Sequence, residues 1–196
     1  MRVLVACEFS GVIRDAFRHG GHEAISCDLL PSERPGPHIV GDVRDALDDG
    51  WDLLIAHPPC THLAVSGARW FREKDAQRRL FTATSRQDEA LDFVRLLLDA
   101  PVPRIAVENP VSVISTRVRP PDQIIQPWQF GHAETKTTCL WLKSLPPLLP
   151  TSIVHDNVRK LAIRDLPRTP DRWKHRSRTY PGIAFAMAAQ WGQLCQ

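Results

Sequence analysis

The sequence predicts an α/β fold with a largely parallel sheet and helices on both of its faces. Short runs of β-branched and other apolar residues alternate with amphipathic helical patterns along the chain, which is typical of βαβ units. The length of 196 residues, with 43% hydrophobic and 24% charged residues, fits one globular domain. We therefore expect a single domain over residues 1–196, in which residues 143–181 form an irregular, basic and Pro-rich insertion before the last helix.

The first unit of the chain is predicted to be a strand, a turn and a helix. Residues 2–7 form an apolar run, Ser10 lies where a helix N-cap is expected, and Gly20-Gly21 ends the helix. The apolar face of this helix consists of Val12, Ile13, Ala16 and Phe17.

Six further strands and two further helices follow. Ser85, with Asp88 three residues later, begins a helix that ends near Ala100, where Pro101 stops it. Residues 182–192 close the chain as an apolar helix. The six strands are predicted at residues 24–28, 41–43, 51–57, 104–109, 124–126 and 138–142.

Several classes of protein are excluded by the composition. No apolar run approaches the ~20 residues that a membrane span needs, and the one at the N-terminus is too short for a signal peptide. We therefore expect a cytoplasmic protein without a membrane partner. The five cysteines are odd in number and include no Cys-x-x-Cys pair. This pattern favours neither a disulfide framework nor a zinc site, so we expect no metal.

The positive charge of the chain is local. Residues 69–86 carry six basic and two acidic side chains, and residues 159–178 carry eight basic and two acidic ones, although the whole chain has a net charge of only +3. Each stretch can be a solvated helix face or a contact for the phosphate of a nucleotide or nucleic acid.

The turn after the first strand, Glu8-Phe9-Ser10-Gly11, leads straight into a helix, which is how a cofactor approaches the backbone in many α/β proteins. The dinucleotide fingerprint Gly-x-Gly-x-x-Gly is absent, so we do not expect an NAD site. Asp28 ends the second predicted strand, where it can accept from a ribose diol or cap a turn. Asp42 can accept from an adenine amino group, and a turn role is the alternative.

The strongest local signal is IAHPPCTHLAVSG at residues 55–67. Two prolines fix the backbone at the carboxyl end of an apolar strand, where open α/β sheets place their active sites, and Cys60 follows them. We expect its sulfur to point outward near a helix start, with the thiolate favoured. The other cysteines, in strand-like or terminal contexts, are expected to be inert: Cys7, Cys27, Cys139 and Cys195.

A second signal is AVENP at residues 106–110, again at the end of an apolar strand. Partial desolvation there is expected to raise the pKa of Glu108, which makes this carboxyl a proton donor near neutral pH. Capping of the loop is the alternative role. A nucleophilic cysteine and a protonated carboxyl on adjacent strand ends together suggest covalent catalysis on an electrophilic ring.

These motifs resemble, in order, those of the S-adenosylmethionine-dependent cytosine C5-methyltransferases. Phe9-Ser10-Gly11 resembles that family's cofactor loop, Pro59-Cys60 its Pro-Cys loop, and Glu108-Asn109-Pro110 its Glu-Asn-Val motif. Gly41-Asp42-Val43 is similar to its adenine contact. FGHAETKTTCLWL at residues 130–142 resembles its Gln-x-Arg-x-Arg segment, with Glu134, Lys136 and Thr138 at the three named positions.

The resemblance implies a Rossmann-like class I methyltransferase fold and S-adenosylmethionine as cofactor. Cys60 would add to C6 of cytosine while Glu108 supplies a proton or hydrogen bond at N3. The implied cofactor contacts are Phe9, Ser10, Gly11, Asp28, Asp42 and Pro58. The implied base contacts are Pro59, Asn109, Lys136 and Thr138, and the basic stretches would offer Arg69, Arg72, Arg176 and Arg178 to a phosphate.

The chain departs from the family at three places. Ile13 stands where the cofactor loop has its second glycine, and Thr138 stands where the family has an arginine. Family members that act on DNA insert a large recognition domain before the last helix, whereas only about forty residues are available here. We therefore expect the substrate to be a free cytosine nucleotide, of the CMP or dCMP type.

Three alternatives stay open. The same chemistry can act on cytosine in DNA, with the basic stretches along the backbone. His-Pro-Pro-Cys can instead be a variant of the Asp-Pro-Pro-Tyr motif of amine methyltransferases, although His57 lacks the carboxylate and Cys60 the aromatic face of that motif. Finally, the departures at Ile13 and Thr138 are compatible with a non-catalytic protein that binds a nucleotide or DNA.

Overall fold

The computed structural model describes residues 1–70, 85–156, 158, 166–167 and 169–194, and side chains for all of these except residues 68–70. Its strands are β1 (Arg2–Ala6), β2 (Glu23–Asp28), β3 (His38–Val40), β4 (Leu53–Ala56), β5 (Arg104–Pro110), β6 (Gln123–Ile125) and β7 (Thr138–Lys143). Its α-helices are α1 (Val12–His19), α2 (Arg86–Leu98), α3 (Ile114–Arg117), α4 (Arg172–Ser177) and α5 (Pro181–Trp191).

The strands form one seven-stranded sheet in the order β3-β2-β1-β4-β5-β7-β6. The first five strands are parallel, and β7 runs antiparallel to both β5 and β6. The reversal of order between β1 and β4 creates a switch point, beside which the loops that follow both strands diverge. The predicted α/β class with a largely parallel, Rossmann-like sheet is confirmed.

Both faces of the sheet are covered by helices because the central strands are apolar on both sides. Val3 and Val5 of β1 pack toward α1 and α5, whereas Leu4 and Ala6 pack toward α2. The largest side chain of the first layer, Trp191 at the end of α5, is fully buried. This two-layered core fixes where the strands end, and so positions the loops at their carboxyl ends.

The structure corrects two predicted elements near the start of the chain. Residues 41–43 are not a strand, because Asp42 caps a 3-10 turn over Val43–Ala46 and the third strand is His38–Val40. Ser10 is not the N-cap of α1 either: that position is Gly11, in a left-handed conformation with φ 69°.

Later elements agree more closely with the sequence. Ser85 and Asp88 form the predicted capping box of α2, since each side chain bonds the other residue's backbone N–H. The segment predicted to be irregular contains one short helix, α4, which the sequence analysis missed. None of the helices within the described ranges is long and apolar enough to cross a bilayer.

Candidate active site

The end of β4 and the end of β5 bring Cys60 and Glu108 to the same edge of the sheet. The two strands are parallel, with Ala56 paired to Val107, so the next residues along each strand lie side by side. Cys60 is exposed and begins a 3-10 turn over Cys60–His62. Cys60 thus lies exposed at the start of a 3-10 turn, and the outward direction of its sulfur stays a prediction.

The loop that carries Cys60 is fastened to β5 and the segment after it. Asn109 is buried and donates from Nδ2 to the carbonyl oxygen of Pro58 at 2.8 Å. Farther along, the N–H of Val65 donates to the carbonyl of Val111, and Leu63 accepts from Val113. These bonds tie both limbs of the loop to the strand that carries Glu108, so the relative position of the two groups is fixed by backbone and amide contacts.

The thiolate of Cys60 is not favoured, contrary to expectation. Desolvation raises the pKa of its thiol, and the negative charge of Glu108 raises it further. The positive charges of Arg176 and Lys136 oppose this shift without cancelling it. The prediction of a stabilised thiolate was wrong because it considered the turn and omitted both the desolvation of the thiol and the carboxylate on the neighbouring strand.

The prediction of a raised pKa for Glu108 was also wrong. Desolvation is the largest influence and would raise it, but a hydrogen bond from His57, the charge of that residue and the charge of Lys136 together lower the pKa of the carboxyl. The His57 Nδ1 atom lies 3.0 Å from Glu108 Oε2. Glu108 is therefore an ionised carboxylate hydrogen-bonded to His57, rather than an isolated acid.

His57 is the residue of this site to which the sequence analysis gave no role. Its side chain is only 10% exposed, and its Nε2 atom is buried without a hydrogen-bond partner among the described residues. The signal was present in the sequence: His57 ends the same apolar strand that precedes Cys60, and Glu108 ends the strand beside it. The pairing of β4 with β5 places His57 and Glu108 side by side.

The predicted cofactor loop lies between β1 and α1 and is held from inside by Glu8. The buried Glu8 carboxylate accepts from the backbone N–H groups of Ile13 at 2.7 Å and Arg14 at 3.2 Å, and from the hydroxyl of Ser10. It thus caps α1 in place of the predicted Ser10 cap. Gly11 needs its left-handed backbone here, and a Cβ would lie 2.5 Å from the Arg14 guanidinium.

Asp28 and Asp42 are placed differently. Asp28 ends β2 beside the end of β1, and its Oδ1 accepts from the N–H of Leu30; desolvation raises the pKa of this carboxyl. Two aliphatic side chains next to it, Leu29 and Val40, are 73% and 61% exposed. Asp42 caps the turn and pairs with Arg44 at 2.7 Å, which is the turn role left open by the sequence.

A fully buried arginine holds the Pro-rich loop 29–37 over this edge of the sheet. Arg14 pairs with Asp15 and donates to the hydroxyls of Ser26 and Ser32. It also donates to two carbonyls of the loop, those of Arg34 and Pro35.

The predicted base and phosphate contacts are only partly brought together. Lys136 Nζ donates to the carbonyl oxygens of Arg176 and Arg178, at 2.9 and 3.1 Å, so it fastens the end of α4 to the loop before β7. Thr138 is buried and donates to the Lys136 carbonyl. The guanidinium of Arg178 bonds both carboxylate oxygens of Glu33, at 2.8 and 3.0 Å, and so is engaged within the protein instead of facing a phosphate.

The other predicted residues fall in three groups. Arg176 is exposed, and its charge acts on Cys60. Pro59, next to Cys60, is exposed, while Pro58 and Phe9 are buried. The ring of Phe9 packs on Trp173 of α4, with centroids 5.6 Å apart. The side chain of Arg69 and the whole of Arg72 lie outside the described residues, as does Cys195.

No family model matches the chain, and no curated protein matches its sequence. Solved structures do match it. One is the crystal structure of a "putative DNA modification methyltransferase" encoded within an E. coli prophage, which is 14% identical with a TM-score of 0.47. The match covers 86% of this chain and 56% of that one, so this chain spans little more than half the length of that protein. A likeness this distant carries no conclusion about activity or substrate.

The inert role predicted for the remaining cysteines is supported where they are described. Burial raises the pKa of the Cys7 thiol to about 12 and that of Cys27 to about 11, and it raises the pKa of Cys139 as well. Thiols held this firmly in the protonated form are poor nucleophiles. Among the described cysteines, Cys60 alone combines exposure with neighbouring cations.

Proposed function

We propose that this protein is an S-adenosylmethionine-dependent cytosine C5-methyltransferase whose substrate is a free cytosine nucleotide. The observation that carries the proposal is the pairing of β4 with β5, which puts an exposed cysteine and a partly buried, ionised glutamate at one sheet edge. A thiol and a carboxylate so placed can act on one pyrimidine ring, the sulfur at a ring carbon and the carboxyl group at a ring nitrogen.

Cys60 and Glu108 divide the chemistry between them. Cytosine C5 is a weak nucleophile, and addition of the Cys60 sulfur to C6, with a proton placed at N3 through Glu108, converts the ring to an enamine that is nucleophilic at C5. Once C5 has taken a methyl group, loss of the C5 proton to solvent and departure of Cys60 would restore the ring. Because both residues serve one transition state, removal of either one is expected to cost orders of magnitude in rate.

The residues between β1 and β3 fit an adenosyl cofactor. Asp28 offers a carboxylate to a ribose at the carboxyl end of β2, and the exposed side chains of Leu29 and Val40 offer an apolar surface for a flat base. Phe9 and Gly11 would bound the remainder of the cofactor. When bound, S-adenosylmethionine supplies an electrophilic methyl group.

The substrate phosphate is assigned to Arg176. Its side chain is exposed, its positive charge acts on Cys60, and its backbone carbonyl is held by Lys136. A guanidinium near the nucleophile suits the single phosphate of a nucleotide. The segment between β7 and α5, about forty residues long, leaves little chain with which to read a DNA sequence.

A polynucleotide substrate is the second candidate, and one feature favours it. Helix α4 carries Lys174 and Arg176, and its Trp173 is 50% exposed. Exposed aromatic rings interleaved with cations are typical of surfaces on which the bases of single strands stack. Both candidates require the same chemistry at Cys60.

Radiolabelled S-adenosylmethionine tests the proposal when it is incubated with CMP, dCMP, CTP, dCTP, cytosine oligonucleotides and duplex DNA. We expect methyl transfer to at least one mononucleotide and a loss of at least about 10³-fold in the Cys60→Ala variant. The Cys139→Ala variant is the matched control and should keep its activity.

Two results would contradict the proposal. Transfer to none of the compounds excludes the activity, and undiminished transfer by Cys60→Ala excludes the covalent mechanism. The salt dependence of binding separates the two substrates. For a polynucleotide, the logarithm of the binding constant falls with the logarithm of the salt concentration with a slope of about −0.7 to −0.9 per phosphate contact. A mononucleotide should give only the slope of one or two such contacts.

A further inference from the structure

His57 is the buried residue of the site that the proposed chemistry leaves without a role. Its Nδ1 atom lies 3.0 Å from Glu108 Oε2, and the two side chains are 10% and 16% exposed. An imidazole and a carboxylate at this distance share a proton, which is held on one partner or the other.

The second nitrogen of the ring points to a functional pair rather than a structural one. Nε2 of His57 is buried and has no hydrogen-bond partner among the described residues. The same is true of Oδ1 of Asn109, which lies on the same strand as Glu108. A buried polar atom without a partner costs about 1–3 kcal/mol, so it is rarely retained for stability alone. Within the described chain, the ring of His57 is oriented by its bond to Glu108.

Four ionisable groups from other parts of the site act with the pair. Cys60 follows β4, Cys139 lies on β7, Lys136 precedes β7, and Arg176 lies on α4. Lys136 acts on Glu108, both cations act on Cys60, and the Glu108 carboxylate raises the pKa of both cysteines. The hydrogen bond from His57, the charge of that residue and the charge of Lys136 keep Glu108 ionised, yet the proposed chemistry needs a proton at N3. Among the described residues, His57 is the titratable group in hydrogen-bond contact with Glu108.

We propose that His57 is a positioning residue that stores the proton which Glu108 passes to N3 of cytosine. This inference rests on the proposed function. When the sulfur of Cys60 loses its proton to solvent and bonds to C6, the C5=C6 electron pair moves between C4 and C5, and the C4=N3 pair moves onto N3. N3 takes a proton through the Glu108 carboxyl group, and the carboxyl group takes one from His57 Nδ1.

The pair of His57 and Glu108 returns to its starting protonation state at the end of each catalytic cycle. After the addition, His57 is neutral and Glu108 is again a carboxylate. Once C5 carries the methyl group, loss of the C5 proton to solvent re-forms the C5=C6 double bond as the sulfur–C6 bond breaks, and the sulfur takes its own proton back from solvent. N3 then releases its proton to Glu108, and His57 regains it. One proton thus moves in and out of the ring without exchange with solvent.

The place of the proton can be tested without any substrate. Infrared difference spectra of the wild type against Glu108→Gln isolate the stretch of the Glu108 carboxyl group. We expect an ionised carboxylate at pH 7 in the wild type. In His57→Phe, the band of the protonated carboxyl should persist to a pH about one unit higher or more, because the cation is lost. A protonated Glu108 in the wild type at pH 7 overturns the proposal.

The role in turnover is tested with His57→Asn, whose amide can still donate from the position of Nδ1 but cannot release a proton. We expect kcat to fall by about 10²–10⁴ with KM little changed, and the decline of kcat at alkaline pH to disappear. A kcat and pH profile like those of the wild type overturn the proposal, because they show that the hydrogen bond alone suffices.

Two controls distinguish a failure of this inference from a failure of the proposed function. His19→Asn removes an exposed histidine on α1 and should change neither spectrum nor kcat. If the wild type methylates no cytosine compound, the proposed function fails, and the infrared spectra still decide where the pair holds its proton.

Discussion

The thiol of Cys60 lies between a carboxylate that suppresses its ionisation and two cations that promote it. Because its pKa is raised, the thiolate fraction at pH 7 is below that of a free cysteine, and alkylation by iodoacetamide should accelerate with pH beyond the ordinary cysteine range. We expect Arg176→Gln to slow alkylation at pH 8 by up to about fivefold, the effect of roughly 1 kcal/mol of lost attraction. Peptide mass spectrometry gives the rate at Cys60.

The exposed Arg18 on α1 provides the control for this prediction. Arg18→Gln should leave the alkylation rate of Cys60 unchanged, since no influence of that charge on the thiol is found. Faster alkylation in Arg176→Gln would mean that this guanidinium does not stabilise the thiolate, and would also weaken its assignment to the substrate phosphate.

At the residue scale, the sequence identifies positions better than protonation states. Cys60 and Glu108 were predicted because each follows an apolar strand. The ionisation of Glu108 depends on His57 and Lys136, and that of Cys60 depends on its desolvation and on Glu108, Arg176 and Lys136. Each of these partners lies far along the chain from the group that it acts on. Electrostatic partners set by tertiary contacts leave little trace in a single sequence.

At the scale of elements, α1 depends on one buried charge. Arg14→Met removes the guanidinium that pairs with Asp15 and bonds the carbonyls of Arg34 and Pro35. We expect the free energy of unfolding to fall by about 2–4 kcal/mol, because these buried partners lose their donor. Chemical denaturation measures the change. Arg18→Met, on the exposed side of the same helix, should stay within about 0.5 kcal/mol, and an equal loss in both variants would refute the role of burial.

Elements with strong local signals were predicted, and those without were missed. The capping box of Ser85 and Asp88 starts α2 as expected, because the cap is a local interaction. Helix α4 was not predicted, since its residues are polar and alternate without an apolar face. It is fixed instead by contacts with Lys136, Phe9 and Glu33, all of which lie elsewhere in the chain.

At the scale of the whole molecule, α5 closes the domain by packing on α1, and its start depends on one glycine. A Cβ at Gly182 would lie 1.9 Å from the carbonyl oxygen of Phe130. We expect Gly182→Ala to lower the free energy of unfolding by about 1–3 kcal/mol or more, because this backbone contact cannot yield. Thermal and chemical unfolding measure it.

Gly41 offers the comparison for that substitution. Its added Cβ would meet only Ile39 Cγ2, at 3.9 Å, so Gly41→Ala should be close to neutral. Comparable losses at both positions would show that the effect at Gly182 does not arise from the close contact.

The overall architecture was predictable because alternating strands and helices leave few ways to bury both faces of a sheet. The antiparallel β7 was not predicted, since nothing in residues 138–143 specifies direction. The reversal matters for the site: it brings Thr138, at the start of β7, and Lys136, just before it, to the edge where β5 ends two residues after Glu108.

The loop at residues 29–37 is irregular, yet it is not loose. Its carbonyls are bonded by the buried Arg14, the N–H of Glu33 donates to Phe9, and the Glu33 carboxylate holds Arg178. A ligand that binds beside Asp28 therefore meets a surface that is already ordered and spends little conformational entropy on arrival. Its association rate is then governed by diffusion and orientation instead of by loop closure.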